Sequence, residues 1–68
     1  MTFYELQRLT AREVELVVRN KSKQIIECIT VEESQSLCAH RLFDYKVIDR
    51  LYNHSNRRML VTLDYDGK

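Results

Sequence analysis

The chain has 68 residues, with eleven Lys and Arg against ten Asp and Glu, 44% hydrophobic residues, one Gly, no Pro and two Cys. This is one domain, residues 1–68, near the lower size limit for independent folding; it buries roughly 60% of the surface its unfolded form exposes. Balanced, interspersed charge is unlike the footprint of a dedicated nucleic-acid or anionic-lipid binder, the apolar runs are too short to span a bilayer, and no leader-type segment opens the chain, so a cytoplasmic location without membrane association is expected.

Thr2 reads as a helix N-cap, with Glu5 three residues on completing a capping box. Phe3, Leu6 and Leu9 then fall on one face of a short helix that ends near Thr10 or Ala11. From Glu13 the period changes to two: Val14, Leu16 and Val18 point one way, and Glu13, Glu15, Val17 and Arg19 the other. In the next strand Ile26 and Cys28 share a face, opposite Ile25, Glu27 and Ile29. Pairing Val18 with Ile26 and Leu16 with Cys28 leaves Lys21-Ser22-Lys23 as a three-residue loop and keeps Glu27 off the core face. Such loops favour a Gly, which this one lacks.

Thr30 and Glu33 predict a second capping box, opening a helix that runs to Arg41–Phe43 with Val31, Ser34, Cys38 and Leu42 as its apolar stripe. Alternation resumes at Tyr45. Tyr45, Val47 and Leu51 form one candidate core face, and Ile48 and Tyr52 the rival. Asp49 in the middle of the first set marks an edge strand or a bulge. Met59, Val61, Leu63 and Tyr65 alternate most cleanly and predict a well-paired last strand, followed by a frayed tail at Asp66-Gly67-Lys68. With a single Gly, positive backbone φ in the turns is expected at Asn20, Asn53 and Asn56. The two halves can be overlaid, Val14 on Val47, Val18 on Leu51 and Asn20 on Asn53. That likeness reads either as an internal duplication or as two hairpins with similar turns.

Catalysis needs a nucleophile, a base or a metal, with groups that stabilise developing charge. The chain has no Gly-rich phosphate loop, no HExxH, no paired His at metal spacing and no GxSxG. Cys38 and His40, two apart on a helix, face different directions and cannot act together. Cys28 and Cys38 lack CxxC spacing and read as reduced, partly buried small residues. Neither catalytic residues, metal ligands nor a cofactor are expected, and the chain reads as a non-enzyme.

Two surface features remain. If both helices cover one sheet face, Val17, Ile25 and Ile29 lie on the other, and contiguous apolar area there marks a partner surface. Lys21 and Lys23 in the first turn, with His54, Arg57 and Arg58 in the second, form a basic end only if both loops lie at the same end of the sheet. That arrangement would suit phosphate or an acidic partner.

Leu42-Phe43-Asp44-Tyr45-Lys46-Val47, the strand that follows, the closing strand Met59–Leu63 and the opening Thr2-Phe3-Tyr4-Glu5-Leu6 resemble a pattern common in small orphan proteins of Gram-positive bacteria and their phages. The resemblance spans most of the chain, departs from the pattern at the Gly-poor first turn and transfers no site residues. It implies a phage or mobile-element origin, where small proteins often act by binding a host or defence protein. The expectation is therefore an α+β domain of order α-β-β-α-β-β, a four-stranded antiparallel sheet packed with two short helices. Its expected role is non-enzymatic protein binding, to a host protein or to itself as a homo-oligomer. The alternative is a nucleic-acid-binding accessory protein using the basic loops.

Overall fold

The computed structural model describes residues 1–37 and 39–67. Thr2 caps α1 (Phe3–Leu9) as predicted: its hydroxyl accepts the Glu5 N–H at 3.3 Å, and the Glu5 carboxylate accepts the Thr2 N–H at 3.0 Å. That bond from the Thr2 backbone is the main reason the Glu5 carboxyl titrates below its ordinary range. The next two donors of the helix are also satisfied, Phe3 N–H by Tyr45 O and Tyr4 N–H by Phe43 O. Phe3 and Leu6 are buried, but Leu9 is 74% exposed. The helix is only two turns long, and its inward stripe runs Phe3–Leu6–Gln7. Buried Gln7 accepts the Ser34 hydroxyl at 3.0 Å, a polar tie between the two helices.

The sheet has order β2-β1-β4-β3, with β1 Glu15–Arg19, β2 Ile25–Thr30, β3 Val47–Asn53 and β4 Arg58–Leu63. The α+β class and the α-β-β-α-β-β order are as expected, but the sheet is mixed rather than purely antiparallel, because β1 and β4 pair in parallel at its centre. The reason is burial. Leu16, Val18, Val61 and Leu63 are all fully buried, so the two strands with the cleanest apolar face take the middle. The halves are not equivalent in space, since β1 is central and β3 is an edge. Buried Val18 and exposed Leu51, superimposable in sequence, face opposite sides. The likeness does not extend to the places of the two hairpins in the sheet.

The first turn closes as predicted, Asn20 N–H to Gln24 O at 3.0 Å, with Arg19 opposite Ile25. One step on, a bulge in β2 shifts the register, so Val18 meets Glu27 and Leu16 meets Ile29, not Ile26 and Cys28. The bulge exchanges Cys28 for the larger Ile29 on the covered face. Glu27, the residue expected to forbid this, lies half-buried with its Oε2 2.6 Å from His40 Nε2. The two atoms lie close without an aligned hydrogen bond between them.

Positive φ falls on Lys23 (65°) and Arg57 (54°), not on the asparagines. Those use their side chains to brace the turns instead: Asn20 Oδ1 accepts Gln24 N–H, Asn53 Oδ1 accepts Ser55 N–H and Asn56 Oδ1 accepts Arg58 N–H. The tail is tied rather than frayed, since Lys21 N–H bonds Tyr65 O at 2.9 Å and Asn20 Nδ2 bonds Gly67 O at 3.0 Å. Lys68 and Cys38 lie outside the described residues, and with them the expectations for the chain end and for a buried Cys38.

Thr30 caps α2 (Val31–Gln35), accepting Glu33 N–H at 3.1 Å, but its hydroxyl rather than its backbone N–H engages the Glu33 carboxylate. The helix stops at Ser36, whose hydroxyl donates to Glu33 O at 2.7 Å, well short of the predicted Arg41–Phe43. From there the chain crosses three strand spacings, about 14 Å, to the far edge of the sheet. On the way it drops Leu42 and Phe43 into the core, Phe43 against Phe3 with ring centroids 6.0 Å apart. A single core results, formed by α1, α2 and this crossover against one sheet face.

Candidate functional site: the uncovered sheet face

Covering one face leaves the other open, and the register places its residues in rows. Cys28 pairs with Val17, Val17 with Leu60, and Leu60 with Leu51, giving an apolar row across all four strands. Leu51 is 68% exposed, Cys28 is exposed, and Val17 and Leu60 are half-buried. Polar rows flank it. On one side lie Thr30, Glu15, Arg58 and Asn53, where Arg58 Nε contacts Glu15 Oε1 at 2.9 Å. On the other lie Ile25, Arg19, Thr62 and Asp49, where Arg19 Nη2 donates to Thr62 Oγ1 at 2.9 Å. Arg19 lies flat on the strands, and its Nε is buried with no acceptor among the described residues.

Of the residues expected on this face, Val17 and Ile25 are there, Ile25 being 63% exposed. Ile29 is not: the β2 bulge turns it to the covered face, opposite Leu16 and packed against the core. The same shift exposes Cys28, expected to be partly buried. In β3 the bulge expected near Asp49 occurs between Val47 and Asp49. It places Val47 and Tyr52 on the covered face and Leu51 on the open one, so neither expected face of that strand is realised whole. Leu60 was not singled out from sequence, and Leu51, expected on a candidate core face with Tyr45 and Val47, is instead exposed on the open one. The signal was present in Leu60, which is out of phase with Met59, Val61 and Leu63, but Leu51 required knowing the bulge.

The basic end does not assemble. Parallel pairing sets the first turn beside the end of β4 and the second beside the start of β1, where Glu15 N–H bonds Arg57 O at 3.0 Å. Lys21 and Lys23 therefore lie at the opposite end of the sheet from His54, Arg57 and Arg58. Lys21 pairs with Asp64 at 2.8 Å and Asp66 at 3.7 Å, and its hydrogen bond to Asp64 is the main cause that raises its pKa. Arg58 is engaged with Glu15, and His54 packs edge-on against Tyr52 with centroids 4.6 Å apart.

Two other features complete the surface. A groove of about 490 Å³ between the end of α1 and the β3–β4 hairpin is lined by Leu6, Leu9, Val14, Tyr52 and Met59, with Arg50 at its rim. Opposite, His40 is held by edge and tilted contacts to Phe3 and Phe43, and its Nδ1 accepts Leu42 N–H at 3.1 Å. Neither gathers a nucleophile, a base and an anion-stabilising group. Among the described residues no set of three or more His, Cys, Asp or Glu is placed to hold a metal, and no helix is long and apolar enough to cross a membrane. Comparison with protein-family models, curated proteins and solved structures returns no match.

Proposed function

We propose that this chain is a non-enzymatic protein-binding module whose contact surface is the open sheet face. The observation that carries the reading is the unbroken apolar row Cys28–Val17–Leu60–Leu51. Single exposed leucines are ordinary on any protein, but apolar side chains aligned across every strand of one face form a patch of the kind partners cover. Its polar borders match the rim-and-centre pattern of interfaces. The resemblance to small phage and mobile-element proteins supports a host or defence protein, or a further copy of the chain, as the partner, acting in the cytoplasm.

Affinity capture from the source cell with mass identification tests the proposal, run with wild type and Leu60→Asp in parallel. Leu60→Asp abolishes recovery of the partner, whereas Leu9→Asp in the groove leaves it. Equal recovery by wild type and Leu60→Asp would refute the assignment of this face.

A further inference from the structure

Resting on that reading of the open face, we propose that a second copy of the chain occupies it. The two sheets pack face to face about a two-fold axis that runs along the strands between β1 and β4.

Charge placement favours this arrangement, because it gives both Glu15 and Arg58 a partner of opposite sign. An axis along the strands exchanges β1 with β4 and β2 with β3 while keeping each row in place. Val17 then lies over the partner's Leu60, Cys28 over the partner's Leu51, and Glu15 over the partner's Arg58. The reciprocal contact sets Arg58 over the partner's Glu15. The Glu15–Arg58 pair, 2.9 Å within one chain, becomes a closed square of alternating charges bordering the apolar row. No like charges are directly opposed: Arg19 meets the partner's Thr62, and Asp49 meets the partner's Ile25 at the outer corner, in reach of water. An axis across the strands would instead place Glu15 over the partner's Arg19 and Arg58 over the partner's Thr62, so Arg58 would gain no carboxylate from the partner and the closed square would not form. Self-complementarity of this kind is what a two-fold interface requires.

Size fits a reversible dimer. Four strands by five residues is about 19 × 17 Å, so two faces bury on the order of 1,000 Å² once side-chain relief is included, the lower end for specific interfaces. Aligned packing at about 10 Å separation is the ordinary geometry for two such sheets. Association in the micromolar range is expected.

The competing contact between copies is edge to edge through β2, whose strand IIECIT has none of the Lys or Pro that usually guard an edge. Val31 N–H bonds Val14 O at 2.9 Å, so by antiparallel alternation the Cys28 N–H points away from β1, to the free edge. Cys28→Pro blocks that edge and leaves the β1–β2 ladder intact.

The test uses sedimentation over a wide concentration range with two charge-reversal variants, Glu15→Arg and Arg58→Glu, each checked for fold by circular dichroism. Wild type shows a concentration-dependent monomer–dimer equilibrium. Each variant alone presents like charges to itself and weakens the dimer about tenfold or more. Mixed, the two form a one-to-one heterodimer tighter than wild type and sensitive to salt, which an effect confined to the intrachain pair cannot produce. Wild type that stays monomeric throughout overturns the inference, as does a mixture that stays monomeric. A dimer that survives Leu60→Asp but is lost in Cys28→Pro overturns it in favour of the edge. If self-association fails while a captured partner is still lost with Leu60→Asp, the binding role of the face stands and only its occupant changes.

Discussion

Lys23 carries a left-handed backbone, φ 65°, in the loop that closes the first hairpin. For a residue with a Cβ that conformation costs about 1–2 kcal/mol. Lys23→Gly removes this cost but returns about 0.5–1 kcal/mol through the greater freedom of Gly in the unfolded chain. The net expectation is a gain of about 0.5–1 kcal/mol, or roughly 2–8 °C in Tm for a domain of this size. The side chain at position 23 is exposed, and the Lys23 N–H bond to Asn20 O at 2.9 Å is retained by Gly. Thermal and urea unfolding followed by circular dichroism give the measurement. Arg57→Gly, φ 54°, acts in the same direction. Ser22→Gly, one residue away with no positive φ to relieve, destabilises. If Lys23→Gly is neutral or destabilising while Asn20→Gly stabilises, the turn is built on Asn20 and the register described above is wrong.

Leu42→Ala, though outside any regular element, costs about 2–5 kcal/mol because its side chain is fully buried, and Leu9→Ala, 74% exposed, costs little; chemical denaturation separates the two. Truncating His40 to Ala leaves Glu27 half-buried without its 2.6 Å contact and costs about 1–3 kcal/mol, including lost packing on Phe3 and Phe43. Glu27→Gln in the same background recovers part of that loss in a double-mutant cycle. The Glu5 carboxyl is held below its ordinary range by Thr2, so its contribution to folding is complete above the unfolded pKa and is lost as pH falls through the lower folded value. In an NMR titration, Thr2→Ala moves the Glu5 pKa only part of the way back up, because the Thr2 backbone N–H, the larger cause, is retained.

Local signals were legible where one short-range interaction decides the outcome. Thr2 with Glu5 and Thr30 as a cap each follow from chemistry within three residues, whereas the expected Lys21-Ser22-Lys23 loop rests on a strand register that the β2 bulge breaks beyond Arg19. Features set by distant partners were not. Glu27 is tolerated on the covered face because His40 approaches from the crossover, thirteen positions on, and that tolerance allows the β2 bulge that moves Ile29 in and Cys28 out. The second helix ends early because Ser36 bonds back to Glu33 and because Leu42 and Phe43 are needed in the core beneath α1. Parallel pairing of β1 with β4 is a choice between whole hairpins, and alternation within a strand is silent about its neighbours. The candidate site inherits this split. Val17 and Ile25 follow from the period of two, whereas Leu51 and Leu60 join them only through the β3 bulge and the central parallel pair.

The account depends on the Val17–Leu60–Leu51 surface being open in the isolated chain. Methyl NMR of a dilute sample with a soluble gadolinium chelate measures this directly. Strong broadening of the Leu51, Leu60 and Val17 methyls, with Leu16, Val18 and Val61 protected, is the predicted result. Protection of Leu51 and Leu60 to the same degree as Val61 in the dilute monomer would contradict it.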